Sequence, residues 1–472
     1  MTGADVRFSC ELSAATILPK TPTRPGSIAS PRCCRCALLP DAPVTPPIPA
    51  AHRPGVSPMT STTPVHLAVA LDGAGWHPAA WREENSRPDE LTSPTYWADL
   101  VTTAERGLLD FVTIEDSLAV PANPYTSEDP DAVDRVRVRL DALLIAARVA
   151  PSTRHIGLIP TITTTHTEPF HVSKALATLD YTSHGRAGWQ VKVSSSAQEA
   201  AHFGRRDIPG LDKRDRQALA ENRLPEFVHD LFDEAADAVE VVRRLWDSWE
   251  DDAELRDVKT RRFIDRDKLH YIDFEGRFFH VRGPSITPRP PQGQPVVALL
   301  AHRDLPYELA SRQADLVFVT PSDTRRVRDL VDEVTAAGVR VGRVGEPLRV
   351  YADLVVFLDT PRESGAERLR RLDALAGSAF DSDALVFTGS ATELADRIGE
   401  WRRQGIDGFR LRPGVAVDDL DVIVDVLVPI LQQRELFRSE YPDTSLRGLL
   451  DLPTDIPHRY AVTTAGTEGH DR

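Results

Sequence analysis

Apolar positions along the chain fall into short continuous runs, separated by longer segments with apolar residues at helical spacing. Short apolar runs are typical of buried strands, and apolar residues three and four positions apart are typical of helices that pack on one side. Strands that alternate with helices predict a parallel sheet in an α/β protein. Eight runs predict strands: Val65–Leu71, Leu109–Ile114, Ile156–Ile159, Arg186–Val193, Pro295–Leu300, Leu316–Val319, Leu348–Phe357 and Gly408–Leu411.

Helix signals at the ends of the longer segments support this order. Ser93-Pro94 supplies an N-cap and a first-position proline, and Gly107 follows the same segment just before the second strand. Ser390 and Glu393 stand at the spacing of a capping box. Eight strands that are each followed by a helix predict a (β/α)8 TIM barrel, in which ligands bind at the carboxyl ends of the strands.

The ends of the chain differ from this pattern. Residues 1–58 hold eleven of the 37 prolines and all four cysteines, and they show no apolar periodicity. We therefore expect a disordered or mis-assigned extension there, with Met59 as the biological start. Residues 59–455 are expected to form the barrel, and residues 456–472 a C-terminal tail.

A charged and then proline-rich region, about 250–293, interrupts the alternation. It predicts an insertion between the fourth helix and the fifth strand. Within it, His270–Phe274 and Arg277–Val281 predict a hairpin that turns at Glu275-Gly276.

Composition narrows the class of protein. A formal net charge of −15 without any basic tract argues against a nucleic-acid partner. No apolar run is long enough to span a bilayer. From Met59 onward the sequence has no cysteine, which fits a reducing, cytoplasmic setting and excludes a cysteine nucleophile there.

Polar residues near the ends of the predicted strands are the candidate ligand contacts. Asp116 follows the second strand, Thr161 ends the third, and Gln190 lies in the fourth. Each also has a structural interpretation, since aspartate and threonine commonly cap turns and an amide can satisfy neighbouring backbone groups. The sequence leaves both interpretations open.

Gly389-Ser390 opens a helix between the seventh and eighth strands, where barrels often bind phosphate on helix N–H groups. An ordinary helix cap is the alternative. The sequence contains none of the motifs that mark a phosphate-binding P-loop, a serine nucleophile elbow, a dinucleotide-binding Rossmann fold or a zinc protease. His166 and His171 are five positions apart and share no helical face, so no metal site is predicted.

Five segments in this order resemble the nitrilotriacetate and dibenzothiophene-sulfone monooxygenase group of the bacterial-luciferase-like flavin enzymes. The resemblance spans about Val65 to Leu452. It rests on LDYTSHGRAGWQVKVSSSAQEAAHFG, VVRRLWDSW, HVRGPSITPRPPQGQPVV, FTGSATELADRI and VDVLVPILQQRELFRSEYPDTSLRGLL.

The resemblance implies a barrel that binds reduced FMN from a separate NAD(P)H-dependent flavin reductase. It implies that O₂ then oxygenates a small organic substrate through a flavin C4a-peroxide, in a homodimer or homotetramer. The flavin would carry the reactive chemistry, which explains a chain without an evident nucleophile. Two alternatives stay open: coenzyme F420 as the cofactor, or a ligand-binding relative without turnover.

Matched residue by residue, the resemblance assigns Asp116, Thr161 and Gln190 to the flavin ring. Gln190 replaces the asparagine of the family, and Phe232 stands where the family has a tyrosine whose hydroxyl reaches the flavin. Lys192 and Val193 also depart from the family pattern in the fourth strand.

The largest departure follows the fifth strand, where the family has a glycine- and serine-rich loop that cradles the FMN phosphate. The loop here is AHRDLP, residues 301–306, whose side chains are bulky and whose proline has no N–H to donate. Arg303 is the expected replacement, together with Gly389 and Ser390. His302 and His166 are the expected proton donors near the substrate.

Overall fold

A computed structural model describes residues 64–120, 133–209 and 224–460. The expected extension at 1–58 lies outside the described residues. The strands are β1 (His66–Leu71), β2 (Phe111–Ile114), β3 (Gly157–Thr163), β4 (Gly188–Lys192), β5 (Val296–Leu300), β6 (Leu316–Val319), β7 (Arg349–Leu358), β8 (Leu385–Gly389) and β9 (Gly408–Pro413).

Eight of these strands close a parallel barrel, which confirms the predicted (β/α)8 architecture. The hydrogen-bonded order is β6-β5-β4-β3-β2-β1-β9-β7, and a β6–β7 pairing closes the ring. Helices separate the strands along the chain: α1 (Pro94–Arg106), α2 (Ala142–Val149), α3 (Pro169–Thr182), α4 (Ala197–Phe203), α5 (Glu226–Trp246), α6 (Asp304–Gln313), α7 (Thr324–Arg340), α8 (Gly365–Ala376), α9 (Ala391–Arg402), α10 (Ala416–Val422), α11 (Val428–Gln433) and α12 (Leu446–Leu449). Across the described ranges, no helix is both long and apolar enough to cross a bilayer.

The sequence did not predict β8. β7 is long enough to pair with two strands in succession on one side, with β6 from Arg349 to Ala352 and with β8 from Leu354 to Leu358. The residues of β8 are half-buried, apart from Phe387. Its apolar run, residues 384–387, is only four residues long, and the helix signal of Ser390 follows it closely.

β3 is longer than its apolar run predicted. It continues through Pro160 to Thr163, so Thr161 lies within the strand rather than at its end. Thr161 and Thr163 pair with Gln190 and Lys192 of β4. Threonine is β-branched and favours strands, so tertiary pairing extends the strand past the point where the apolar run stops.

The insertion between α5 and β5 contains two short antiparallel pairs. Phe274–Glu275 pairs with His280–Val281, so the predicted hairpin exists but is shorter than predicted, and its connection is residues 276–279. Glu254–Asp257 pairs with Arg262–Ile264, which the charged sequence did not predict.

The amino-terminal part of the barrel interior is an apolar core, separate from the larger core between strands and helices. Leu446 and Leu450, in α12 and directly after it, pack into it from the carboxyl-terminal part of the chain. Gly157 leaves the space for this contact, because a Cβ there would lie 2.4 Å from Leu446 Cδ1. The strand residues of this core are Ala68, Phe111, Ile159, Val296, Ala298, Leu316, Phe318 and Tyr351.

Asp110, just before β2, ties this end of the barrel together. Its carboxylate is fully buried and accepts hydrogen bonds from the Leu67 N–H at 2.6 Å and from His66 Nδ1 at 3.0 Å. Arg438 forms an ion pair with the same carboxylate. Burial alone would lower the pKa of His66, but Asp110 raises it to about 9.

The raised pKa of His66 predicts a loss of stability in mild alkali. The stabilisation is complete below the unfolded-state pKa of 6.5 and is lost as the pH rises through about 9. We expect the free energy of unfolding to fall by ~3 kcal/mol across this window. Urea unfolding at a series of pH values measures it. A His66→Gln variant is the control, and an equal pH dependence in both proteins would contradict the assignment.

Candidate active site

The barrel interior changes from apolar to charged towards the carboxyl ends of the strands. Inward-facing side chains recur at every second strand position. Phe111 is therefore followed inward by Thr113 on β2, and Tyr351 by Asp353 on β7. The polar side chains of this half come from several strands and from the residues after them: Thr113, Glu115, Thr161, Gln190, Lys192, His302, Thr320, Asp353, Arg410 and Arg412.

Asp353 is the centre of a buried ionic network. Its side chain is fully buried, and it accepts from Arg410 Nε at 2.8 Å and from Arg412 Nε at 2.9 Å. A second nitrogen of each guanidinium also bonds to the same carboxylate. β7 and β9 pair in a register that places Asp353 directly opposite Arg410. Two arginines thus share one carboxylate inside the barrel, where an unpaired charge would be costly.

Arg410 also fixes the orientation of Gln190. Arg410 Nη1 donates to Gln190 Oε1 at 2.5 Å, and Gln190 Nε2 donates to Glu115 Oε1 at 3.1 Å. Because arginine only donates and an ionised carboxylate only accepts, these contacts settle which end of the amide is oxygen.

Thr161 lies opposite Gln190 in the strand register, and it has no exposed surface. Its Oγ1 has no hydrogen-bond partner among the residues that the structure describes. A buried hydroxyl in this state is a site where a ligand atom or an ordered water binds. Thr161 and Gln190, both sequence-predicted flavin contacts, are therefore brought together.

His302, which follows β5, is connected to the same network through Asp383. Its Nδ1 lies 2.8 Å from Thr320 Oγ1, and its Nε2 lies 3.4 Å from Asp383 Oδ2. Asp383 in turn accepts from Arg412 Nη1 at 2.6 Å. Burial alone would raise the pKa of Asp383, but Arg412 and His302 hold it well below its usual range. The imidazole is thus held between a hydroxyl and an ionised carboxylate.

His166 belongs to a different group of side chains, after the end of β3. Its ring stacks on Phe203 of α4, with centroids 4.9 Å apart and planes 11° from parallel. Burial, followed by the charge of Arg206, lowers the pKa of His166. No contact links His166 to His302 in the described parts of the chain, so the two predicted proton donors are separate.

Asp116 has the structural role that the sequence left open. Its carboxylate accepts from the backbone N–H groups of Ser117 at 2.7 Å and Ala142 at 2.9 Å, and Ala142 is the first residue of α2. Burial raises the pKa of Asp116, and these two hydrogen bonds oppose the shift. Lys192 Nζ donates to the backbone carbonyl of Asp116 at 2.9 Å.

The predicted phosphate contacts lie in two places. Arg303 is nearly buried and is the N-cap residue of α6, directly after β5. Gly389 and Ser390 precede α9, where Glu393 closes a capping box: its carboxylate accepts from the Ser390 N–H at 2.8 Å. The negative charge of Glu393 therefore already lies at the start of α9.

Phe232, predicted to face the flavin, lies on α5. Its half-buried side chain packs against the core between strands and helices.

The network contains residues that the sequence did not single out. Asp353 and Arg410 are charged residues inside predicted buried strands, Arg412 directly follows the predicted strand Gly408–Leu411, and charges in such strands need partners. That pattern was visible in YADLVV and GFRLRP. Asp383 carried no such signal, since it lies in a loop, and only the folded structure places it beside Arg412 and His302. No group of three or more metal-ligating side chains occurs in the ranges described.

Comparison with known proteins identifies the family. Residues 74–408 match the luciferase-like monooxygenase family. Nitrilotriacetate monooxygenase component A of Aminobacter aminovorans is 30% identical over 459 residues, covering 84% of this chain and 98% of the relative. N-acetyl-S-(2-succino)cysteine monooxygenase of Bacillus subtilis (strain 168) is 29% identical with the same coverage.

Solved structures of two monooxygenases have the same fold as this chain. A long-chain alkane monooxygenase superposes with a TM-score of 0.72 at 23% identity, covering 82% of this chain and 96% of that one. EDTA monooxygenase from Chelativorans sp. BNC1 gives a TM-score of 0.67 at 22% identity, with 83% and 99% covered. A closed parallel barrel with a polar interior at the carboxyl ends of its strands is a (β/α)8 barrel whose ligand site lies at that end. The chain belongs to the luciferase-like monooxygenase family and is a flavin-dependent monooxygenase or oxidoreductase.

Replacing Asp353 by asparagine should strongly destabilise the barrel. Asparagine keeps the shape of the side chain but removes the negative charge that the two buried guanidinium groups share. We expect the free energy of unfolding to fall by about 3–5 kcal/mol. Asp396→Asn is the control, because Asp396 forms an exposed ion pair with Arg434 at 2.8 Å. Loss of this ion pair should lower the free energy of unfolding by less than about 1 kcal/mol. Urea unfolding compares the two variants, and equal costs would refute the central role of Asp353.

Proposed function

We propose that the protein is the oxygenase of a two-component system, which uses reduced FMN and O₂ to oxygenate a small organic substrate. A separate NAD(P)H-dependent flavin reductase supplies the FMNH₂. Two relatives support the division into two proteins, since one is named as a component of nitrilotriacetate monooxygenase and the other as one subunit of pristinamycin IIA synthase.

One observation carries the proposal: a buried, unsatisfied hydroxyl of Thr161 beside an amide of Gln190 whose orientation is fixed. Both lie in the carboxyl half of the barrel, where this fold binds ligands. Hydroxyl and amide groups fit the carbonyl and ring-nitrogen positions of a flavin. The bound flavin supplies the chemistry that activates O₂, and the protein holds the ring and excludes water.

His302 is the residue proposed to donate a proton near the substrate. A histidine that acts in proton transfer needs a partner that orients its ring. Thr320 on Nδ1 supplies that orientation, and Nε2, whose protonated form the carboxylate of Asp383 stabilises from 3.4 Å, carries the proton that is donated. Asp116, whose carboxylate already holds two backbone N–H groups, is assigned to shaping the edge of the site. Phe232 is assigned to packing beside it.

Arg303 is the proposed phosphate contact, in preference to Gly389 and Ser390. Within the described residues no side chain caps the start of α6, and the guanidinium of an N-cap arginine can pair with a phosphate there. At the start of α9 the carboxylate of Glu393 already accepts from the Ser390 N–H, whereas Asp304 in the first turn of α6 is ion-paired with Arg340 at 3.0 Å.

Coenzyme F420 is the second candidate cofactor. The observation that favours it is the loop at 301–306, which has no glycine and so loses the close backbone approach that suits an FMN phosphate. In that case the enzyme would transfer a hydride without using O₂.

Anaerobic titration with FMNH₂, oxidised FMN and F420, followed by fluorescence, decides between the cofactors. We expect FMNH₂ to bind most tightly. On mixing with O₂, recovery of oxidised FMN from the bound state should be about tenfold slower than in free solution, if the protein shields the flavin from water as proposed. Recovery of oxidised-flavin absorbance in a stopped-flow instrument measures this. Binding of F420 without FMNH₂ would establish the second candidate, and no binding of either would refute both.

The two phosphate assignments predict opposite results for two variants. Arg303→Ala should raise the Kd for FMNH₂ roughly 10- to 100-fold, the usual value of a hydrogen bond to a charged group. Ser390→Ala should leave this Kd unchanged and lower stability by about 1 kcal/mol through loss of the cap. The same titration and thermal unfolding measure both quantities. A larger affinity loss in Ser390→Ala would reverse the assignment.

A further inference from the structure

Helix α4 directs Phe203 towards His166, which follows β3, and Glu199 towards Leu118, which follows β2. Glu199 and Phe203 are four positions apart and therefore lie on one face of the helix. Phe203 stacks on the ring of His166, with centroids 4.9 Å apart. Glu199 thus lies one helical turn from this stack, on the same side as His166. The electrostatic influence of Glu199 on His166 agrees with this proximity.

Glu199 and His166 each have a buried polar atom that forms no hydrogen bond with a described residue. Glu199 is 5% exposed, and its Oε1 accepts from the Leu118 N–H at 3.0 Å. Its Oε2 and the Nε2 of His166, which is 4% exposed, have no partner among the described residues. Buried polar groups are normally satisfied, so each of these two atoms is a place where a ligand atom or an ordered water binds.

The charges around this pair determine what that group can be. Arg205 forms an ion pair with Glu168, and Arg206 forms one with Glu234 at 2.7 Å. Glu199 forms no ion pair with any residue in the described ranges, so no side-chain cation within those ranges compensates its buried carboxyl group. A buried carboxylate of this kind is costly unless a ligand brings a positive charge.

His166 supplies an acceptor. Burial and the charge of Arg206 lower its pKa, so the ring is neutral around neutral pH. A neutral imidazole can present Nε2 as a lone pair. The site therefore offers two acceptors, the Oε2 of Glu199 and the Nε2 of His166, and one of them is anionic.

We propose that Glu199 and His166 bind the protonated amino group of the substrate, which deepens and rests on the proposed oxygenase function. A primary or secondary ammonium has at least two N–H groups, one for each acceptor, and its charge compensates Glu199. The pair follows β3 and β4, the strands that carry Thr161 and Gln190, so the amine binds at the same end of the barrel as the proposed flavin site.

Three small probes test the chemistry of the site in the full-length protein with FMN added. Diethylammonium has the charge and two N–H groups, diethyl ether has the same shape without either, and tetramethylammonium has the charge alone. The side-chain ¹⁵N resonance of His166 in histidine-labelled protein reports binding. We expect diethylammonium to shift this resonance, and the other two probes to bind at least about tenfold more weakly. Equal binding of ether and ammonium would overturn the proposal in favour of a neutral ligand or water.

Glu199→Gln is the matching variant, because its amide oxygen can still accept from the Leu118 N–H. We expect it to weaken diethylammonium binding about tenfold or more without lowering the melting temperature. Glu226→Gln, at the exposed start of α5, is the control and should bind like the parent protein. Unchanged binding in Glu199→Gln would overturn the proposal.

FMN affinity, measured on the same samples, distinguishes failure of the proposed amine site from failure of the proposed oxygenase function. Loss of ammonium binding with intact FMN affinity would concern the amine site alone. Absence of FMN and FMNH₂ binding in the parent protein would instead refute the proposed function.

Discussion

The shared burial of Asp353 between Arg410 and Arg412 is the interaction on which the functional half of the barrel depends. A carboxylate and two guanidinium groups remain inside a protein only if each is paired, and here the pairing requires adjacent strands β7 and β9 in a fixed register. From Arg410 the network reaches Gln190, and from Arg412 it reaches Asp383 and His302. One buried ion cluster thus orients polar groups in β4 and after its neighbouring strand β5.

This network divides the barrel into two parts with different tasks. The apolar part, closed by Leu446 and Leu450, supplies stability through burial, and the charged part supplies fixed hydrogen-bonding groups. A flavin enzyme needs little more from its protein, since the cofactor performs the chemistry and the protein orients and shields it. The absence of cysteine from the sequence after Met59 is consistent with that division.

The departures from the family pattern in β4 acquire a physical explanation in part. Gln190 is one methylene longer than the family's asparagine, and it spans from Arg410 to Glu115. Lys192 ties β4 to the backbone carbonyl of Asp116, beyond the end of β2. The bulky loop at 301–306 places His302 beside Asp383 and Arg303 at the start of α6. Nothing in the structure explains why Val193 replaces a threonine.

The sequence by itself determined the alternation of strands and helices, the barrel that follows from it, and the family. Apolar periodicity and capping residues are local signals, so they can be read from neighbours in the chain. Only the tertiary structure decided that Thr161 lies inside β3, that β8 extends the sheet, and that Asp353, Arg410, Arg412 and Asp383 meet. These outcomes depend on contacts between residues far apart in the chain. No local pattern records which buried charge will face which, because the closing of the barrel makes that choice.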